Sequence, residues 1–387
     1  MKDVKISDYL WFQEGPGVRN TQYTTSGVKL INVANLVDGN IDLSTSDRYI
    51  SEEEAYGKYN HFLADDGDFV IASSGIKIDY FDKKMGFIKK EHLPLCMNTS
   101  CIRFKVLDTN NLEIKYFMYY MKSNSFKKQL FNQITGSAQL NFGPSHLKKM
   151  TFPLIELKEQ KRIIERLDKI QNIINETKSL LSKYDTLIKS RFIEMFGDPV
   201  TNPMGWKKCA VIEEADCMVP GRDKPKSFTG QIPWITIDDL NLMGRTKISK
   251  KGLGLTETEI AEVKRNPIPA ESVIMSCVGN LGLCSIADIP LIINQQLHSF
   301  QCKKNLIPDF LMYCLTYQKP YMNMHANFTT VAYMNKTTCN SIPIIVPPLE
   351  LQQQFADFVQ QIDKSKFEIW LYINMCVIMD KRVFVYD

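Results

Sequence analysis

From Ile163 onward, apolar side chains return at alternating steps of four and three residues: Ile163, Leu167, Ile170, Ile174, Thr177, Leu181, Tyr184 and Ile188. That spacing is the seam of a long helix, widened at its flank by Ile173, Leu180 and Leu187, and such a stripe needs an equally long partner to leave water. A second stretch repeats the interval with Phe355, Phe358, Ile362 and Ile369, and predicts that partner. About 28 to 32 residues at 1.5 Å each make a rod of roughly 40 to 50 Å.

Both helices are approached through proline. The first reads "FPLIELKEQKRIIERLDKI" from Phe152 and the second "VPPLELQQQFADFVQQIDK" from Val346, so that the proline-led starts lie on each other. Upstream, the correspondence continues in order. Gly17-Val18-Arg19 falls on Gly221-Arg222-Asp223, "LINVANL" from Leu30 on "WITIDDL" from Trp234, and "FVIASSG" from Phe69 on "VIMSCVG" from Val273. "LCMNTSCIRF" from Leu95 meets "LIINQQLHSF" from Leu291, and "FMYYM" from Phe117 meets "FLMYC" from Phe310. A repeat of this order makes the chain a tandem of two like modules.

Within a module, "KLINVANL" and "DFVIASSG" alternate or cluster β-branched residues and stop at Asn or Gly, as strands do. "LEIKYFMYYMKSNSFKKQL" carries a helical spacing whose face of Phe117, Tyr120 and Met121 reads as core, with lysines toward its end. The fold class expected is α+β: two tandem α/β globules separated by two long antiparallel helices in a coiled coil, related by a pseudo-two-fold axis. The expected boundaries are 1–152 for the first globule, 153–196 for the first helical region, 197–346 for the second globule, and 347–387 for the second helical region with its atypical tail. Gly197, Pro199, Pro203 and Gly205 break the first helix and turn the chain into the second module.

Composition narrows the class rather than naming it. With 387 residues, 44% hydrophobic and 23% charged, the chain is an ordinary globular one, and a net charge of +4 permits a nucleic acid without demanding it. The ten cysteines form no CxxC pair, and the five histidines, at 61, 92, 146, 298 and 325, share no metal-ligand spacing. "MKDVKISDYLWFQEG" lacks the apolar run of a signal peptide, and "IWLYINMCVIM" is too short to span a bilayer, so a cytoplasmic location is expected.

The chain shows no phosphate-binding GxxxxGK[ST], no GxGxxG after a strand and no HExxH. One nuclease-like trio, Asp108, Glu113 and Lys115, gives an acid followed by ExK, and supports the alternative of a stand-alone metal-dependent nuclease. Polar loops at matching places in both modules carry the other reading, contact with phosphates and base edges. The candidate contacts are Arg19, Asn20, Ser74, Lys77, Ser137, Gln139 and Asn141 in the first module. In the second they are Arg222, Lys224, Ser276 in place of Cys277, Asn280, Thr329 and Thr330. The candidate helix–helix contacts are Ile163, Leu167, Ile170, Ile174, Leu181, Tyr184, Ile188, Phe355, Phe358 and Ile362. A coiled-coil scaffold indifferent to DNA is a third reading.

The blocks "TGSAQLNFGPSHLKKMTFPLIELKEQKRIIERLDKI", "FIEMFGDPVTNPMGWKK" and "PPLELQQQFADFVQQIDK" resemble the specificity subunit of Type I restriction-modification systems, and the likeness covers nearly the whole chain. The resemblance implies two target-recognition domains, each reading half of a split double-stranded DNA target, held apart by the helices. It implies as partners two methyltransferase subunits and the restriction, DNA-translocating subunits, with no membrane. S-adenosylmethionine, ATP and magnesium would belong to those partners, leaving no cofactor, metal or catalytic residue in this chain. After Lys366 the sequence "FEIWLYINMCVIMDKRVFVYD" departs from the Lys-, Glu- and Leu-rich helix that the family implies, which puts the later turns of the second helix and one methyltransferase contact in question.

Overall fold

The computed structural model describes residues 2–134, 140–221, 223–328 and 330–382. Two compact units divide the chain: Met1–Thr177 with Leu371–Asp387, and Lys178–Trp370. Among the described residues, no helix is long and apolar enough to cross a membrane.

The first unit is built on a four-stranded antiparallel sheet in the order Leu10–Glu14, Cys101–Val106, Phe69–Ala72, Met85–Phe87. Phe69–Ala72 is buried along its whole length, as a strand covered on both faces must be. Helix Ile114–Lys122 lies over this sheet through Phe117, whose ring centroid is 5.7 Å from that of Phe104 and 5.3 Å from that of Phe152. A smaller mixed sheet places Val28–Ile31 between parallel Leu95–Met97 and antiparallel Tyr49–Ile50.

The second unit repeats the plan. Its five-stranded sheet runs Ala215–Met218, Leu297–Cys302, Val273–Ser276, Cys284–Ala287, Arg245–Thr246, and its small sheet centres on Ile232–Ile235. Helix Pro308–Tyr317 covers the larger sheet as its counterpart does.

The single helix expected from "LEIKYFMYYMKSNSFKKQL" is two. Ser123 ends Ile114–Lys122 and its hydroxyl accepts from the Phe126 amide 3.2 Å away, capping Asn124–Gln133. A serine that satisfies an orphan helix amide is favoured over one that continues the helix. The second unit breaks at the same point, between Pro308–Tyr317 and Lys319–His325, where Pro320 lies in a first turn.

The long helices are Leu157–Phe196, 40 residues, and Leu349–Arg382, 34 residues, both longer than the heptad count suggested. The second is helical past Lys366 through Arg382. Within the second unit they run antiparallel: Asp185 meets Lys366 at 2.7 Å, while Phe192 and Phe196 meet Phe355 with ring centroids 5.3 and 5.7 Å apart. Ile188 and Phe355 lie in the core of the second unit, and Phe358 and Ile362 pack against it. Ile174 is buried, while Leu181 and Tyr184 are half-buried.

Other seam residues have a different partner. Leu167 belongs to the core of the first unit and Ile163 and Ile170 pack on it, so these three bury side chains against the globule. Leu180 and Leu187, expected to widen the seam, stay exposed. A heptad stripe says that a helix is covered and not by what.

The segments leading into the two long helices also match in a different register. Strand Lys2–Lys5 pairs Lys2 with Leu154, and strand Lys207–Ala210 pairs Lys207 with Val346. Leu154, two residues past Phe152, is therefore the counterpart of Val346, and Pro153 and Pro347 are not equivalent. Gln160 and Gln352 become equivalent instead, and their bonds confirm it. Gln160 accepts from the Glu113 amide at 2.9 Å and donates to the Asn111 and Ile155 carbonyls, each at 2.8 Å. Gln352 accepts from the Ile307 amide at 2.9 Å and donates to the Asn305 carbonyl at 3.0 Å and the Pro347 carbonyl at 2.8 Å. Both side chains are fully buried. Each glutamine fastens the start of its long helix to the chain that leads into the helix over the sheet.

Candidate nucleic-acid interface

The first candidate surface is the turn that follows the central buried strand. After Phe69–Ala72 the chain forms the short strand Ser74–Ile76, which pairs with Leu140–Asn141 so that Ser74 stands opposite Asn141. The Phe142 amide donates to the Ser73 carbonyl at 3.0 Å, and the Ser74 hydroxyl donates to that of Ser100 at 2.6 Å. Ser74 is half-buried, whereas Asn141 and Lys77 are exposed. In the second unit, Val278 bridges to Tyr333, the Gly279 amide donates to the Ala332 carbonyl at 2.8 Å, and the Met334 amide to the Cys277 carbonyl at 2.9 Å. Gly75 and Gly279 both sit at φ +74°, a conformation that side chains rarely adopt, and so each turn requires glycine.

The exposed polar groups on the two turns differ. Asn280 is exposed and its side-chain oxygen accepts from the Lys319 ammonium at 3.0 Å; Thr330 is exposed on the neighbouring hairpin. Ser276 is not a contact residue. It is fully buried, its hydroxyl donates to the Asn280 carbonyl and accepts from the Leu283 amide at 2.9 Å, and it ends a strand whose four residues are all buried. Its hydroxyl closes the turn that presents Asn280. Ser137, Gln139, Arg222 and Thr329 lie outside the described residues.

The second candidate surface is the long polar loop of each unit. Arg19 and Asn20 are exposed on a turn held by Gln22, whose side-chain oxygen accepts from the Arg19 amide at 3.0 Å. The Gln22 amide group donates to Glu54 at 2.7 Å and to the Tyr59 hydroxyl at 3.0 Å. Glu54 is the third residue of helix Glu52–Tyr56, capped by Ser51. Its counterpart Glu259 occupies the same place in helix Glu257–Glu262, capped by Thr256, and accepts from the Ser227 hydroxyl and from the Thr229 amide and hydroxyl. The Ser227 hydrogen bond, with those of Thr256 and Thr229, pulls the Glu259 carboxyl down to about 2. At the loop exits, Gly27 and Gly230 admit no side chain: a Cβ would lie 2.2 Å from the Ile50 carbonyl oxygen and 1.9 Å from the Leu255 carbonyl carbon.

Arg265 completes the second loop. Its guanidinium lies 4.8 Å from the centre of the Trp234 ring and donates to the Gly221, Asp223 and Ile293 carbonyls, each at 2.7 Å. Lys224 projects from the loop so held and is exposed. Sequence reasoning missed Glu54, Glu259 and Arg265, although Ser51 to Glu54 and Thr256 to Glu259 both spell the S/T-x-x-E of a capped helix start. It also passed over Phe328 and Lys319, which border the named loops.

The nuclease-like trio does not converge. Lys115 is bound to Asp168 at 2.7 Å, Glu113 lies 3.5 Å from Lys161, and Asp108 accepts from the Asn110 and Asn111 side chains at 3.0 and 2.6 Å. Among the described residues, no group of three or more His, Cys, Asp or Glu is arranged to hold a metal. A cavity of about 950 Å³ in the first unit, lined by Asp3, Tyr116, Arg162 and Lys169 among others, shares none of the candidate DNA-contact residues.

The model of the Type I restriction modification DNA specificity domain matches residues 19–182 and again 218–370. A putative type I restriction enzyme MjaX specificity subunit from Methanocaldococcus jannaschii is 24% identical over 362 residues, spanning 87% of this chain and 80% of the relative. The HindI specificity subunit of Haemophilus influenzae is 25% identical over 161 residues, 38% of this chain and 33% of that protein. In fold, the chain is similar to one from a structure of type I R-M complex assembly and conformational transition, with a TM-score of 0.60 at 16% identity over 98% of this chain and 95% of that one. The S subunit of a Type-I restriction-modification system from M. genitalium gives 0.50 at 14% identity, over 100% and 96%. With two matches that together cover most of its length, the chain belongs to the Type I restriction-modification DNA specificity family.

Proposed function

We propose that each module reads one half of a split DNA target, and that the long helices set the gap between the halves. The observation that carries this is the paired turn at Gly75 and Gly279: one backbone device, strapped in both modules to the segment that precedes the long helix, with unlike side chains on it. A shared frame carrying different contact groups reads two different half-sites, which makes the target bipartite and non-palindromic. Ser74, Asn141, Lys77, Arg19 and Asn20 serve the first half-site, and Asn280, Thr330, Lys224 and Lys319 the second, through base edges and phosphates. Methylation and cleavage belong to the methyltransferase and restriction subunits, which bring S-adenosylmethionine, ATP and magnesium.

The test is to purify the chain with its methyltransferase subunit and map N6-methyladenine in DNA exposed to the complex. Methylation at one split motif with a fixed gap is the expected result. A complex that forms but methylates without a motif overturns it in favour of a scaffold.

A further inference from the structure

The hairpin of Asn327–Phe328 and Ala332–Tyr333 is bonded through its second strand to the turn at Gly279. Side chains alternate across so short a ribbon, so Phe328 shares a face with Ala332 and Asn327 with Tyr333. Ala332 is too small to cover a phenyl ring. Phe328 is accordingly 71% exposed, beside Val331 at 49% and near the end of a helix whose Met324 is 79% exposed.

Left in water, a ring of this size forgoes about 1.5–3 kcal/mol of burial, and its surroundings do not make it part of a protein-binding plain. The polar groups nearest in the fold are Thr330 in the hairpin loop, Asn280 beside the Gly279 turn with Lys319 bonded to it, and Lys336 three residues past the hairpin: an amide, a hydroxyl and two ammonium groups. A stable protein interface needs roughly 800 Å² from each partner. Phe328 shares its face of a narrow ribbon with Ala332 alone, Tyr333 lying on the other face, and Lys319 and Lys336 lie on the segments next to the ribbon in the chain, so the ring fits the groove of a nucleic acid better.

Building on the reading of this module as a DNA-binding one, we propose that Phe328 is a wedge which the second module inserts between stacked base pairs of its half-site. Val331 broadens the wedge, and Lys319 and Lys336 hold the flanking phosphates. Partial unstacking at one step costs a few kcal/mol, least at pyrimidine–purine steps, so the half-site is selected by its deformability as well as by its base edges.

The experiment uses the assembled complex and a duplex carrying its mapped target, with 2-aminopurine placed at successive positions of the second half-site. The wild-type complex is expected to raise fluorescence at one step. Phe328→Ala abolishes that rise and weakens specific binding on the order of tenfold or more, with the salt dependence unchanged, while Phe328→Leu retains both in part. No responsive position, or a Phe328→Ala complex that matches the wild type, overturns the wedge. Loss of affinity on replacing thymine with uracil, without any fluorescence change, overturns it too and assigns Phe328 to a methyl contact. If the wild-type complex discriminates no sequence at all, the recognition reading itself has failed, a result separate from a specific complex that leaves its bases stacked.

Discussion

The middle of the central sheet is where the two modules part company. Arg103 in the first is buried and bound to Asp68 at 3.1 Å, to Gln13 at 2.8 Å and to the His61 carbonyl at 2.8 Å. Strand pairing sets Arg103 opposite Val70, and Ser299 opposite Ile274 at the same place in the second module. There Gln301 donates to Ser272 at 3.2 Å and to Ser299 at 3.1 Å. One module keeps a buried ion pair where the other keeps a neutral cluster. The next residue inverts the polarity, since Ile102 of the first module is His298 in the second, both fully buried. The frame thus fixes backbone positions and leaves the polarity of its interior to each module.

The largest expected effect breaks this contrast directly. Asp68→Ala leaves Arg103 buried without its counter-charge and should destabilise the first module by about 3–5 kcal/mol, whereas Ser272→Ala should cost the second only about 1 kcal/mol. Hydrogen exchange in strands Phe69–Ala72 and Val273–Ser276 reads the two separately. Equal losses would mean that the buried pair carries no special dependence.

Next come the glutamines, where the modules should respond alike. Gln160→Ala and Gln352→Ala each strand three backbone groups, at about 1–3 kcal/mol for each group left unsatisfied, and a total near 3 kcal/mol is expected in both. A large loss in one and none in the other would refute their equivalence.

No larger than this is a pH effect confined to the second module. Burial, aided by Lys336, pushes the His298 imidazole down to about 4, so the native state refuses a proton that the unfolded chain accepts below its ordinary value near 6.5. Stability of this module is complete above about pH 6.5 and falls as the pH drops toward 4, by roughly 3 kcal/mol at about 1.4 kcal/mol per unit. Difference unfolding against His298→Ile should remove that slope, and the first module, with Ile102, should lack it.

The smallest effect is read in recognition. Glu259→Ala frees Ser227 and Thr229 and also removes the acceptor of the Thr256 amide at the start of helix Glu257–Glu262, and should weaken binding at the second half-site by about threefold to tenfold while leaving the first unchanged. Competition between duplexes altered in one half-site or the other would measure it.

Much of the frame was legible in the sequence because it is written in periodicity and glycine. Laying "FVIASSG" on "VIMSCVG" already placed Gly75 on Gly279, and the four–three spacing found both long helices. What the stripe touches was not legible: Leu167 buries itself on a globule by the same pattern that would face a helix. Ser276 was misplaced because it ends a strand covered on both faces, with Met275 and Cys277 beside it buried as well, and the exposed polar group comes only at Asn280. Pro153 and Pro347 drew the starts of the long helices into a register two residues off, since a proline is conspicuous and a buried glutamine is not. The loop anchors escaped because Glu259 acts on residues about thirty positions away, a distance that no local motif spans.

The glutamine joint has a consequence for how such chains diverge. All six groups that Gln160 and Gln352 engage are backbone amides and carbonyls. A joint that asks nothing of its partner's side chains is indifferent to which residues the globule carries. The reading head is therefore free to change its sequence, and with it the bases it prefers, while its fastening to the shaft stays the same.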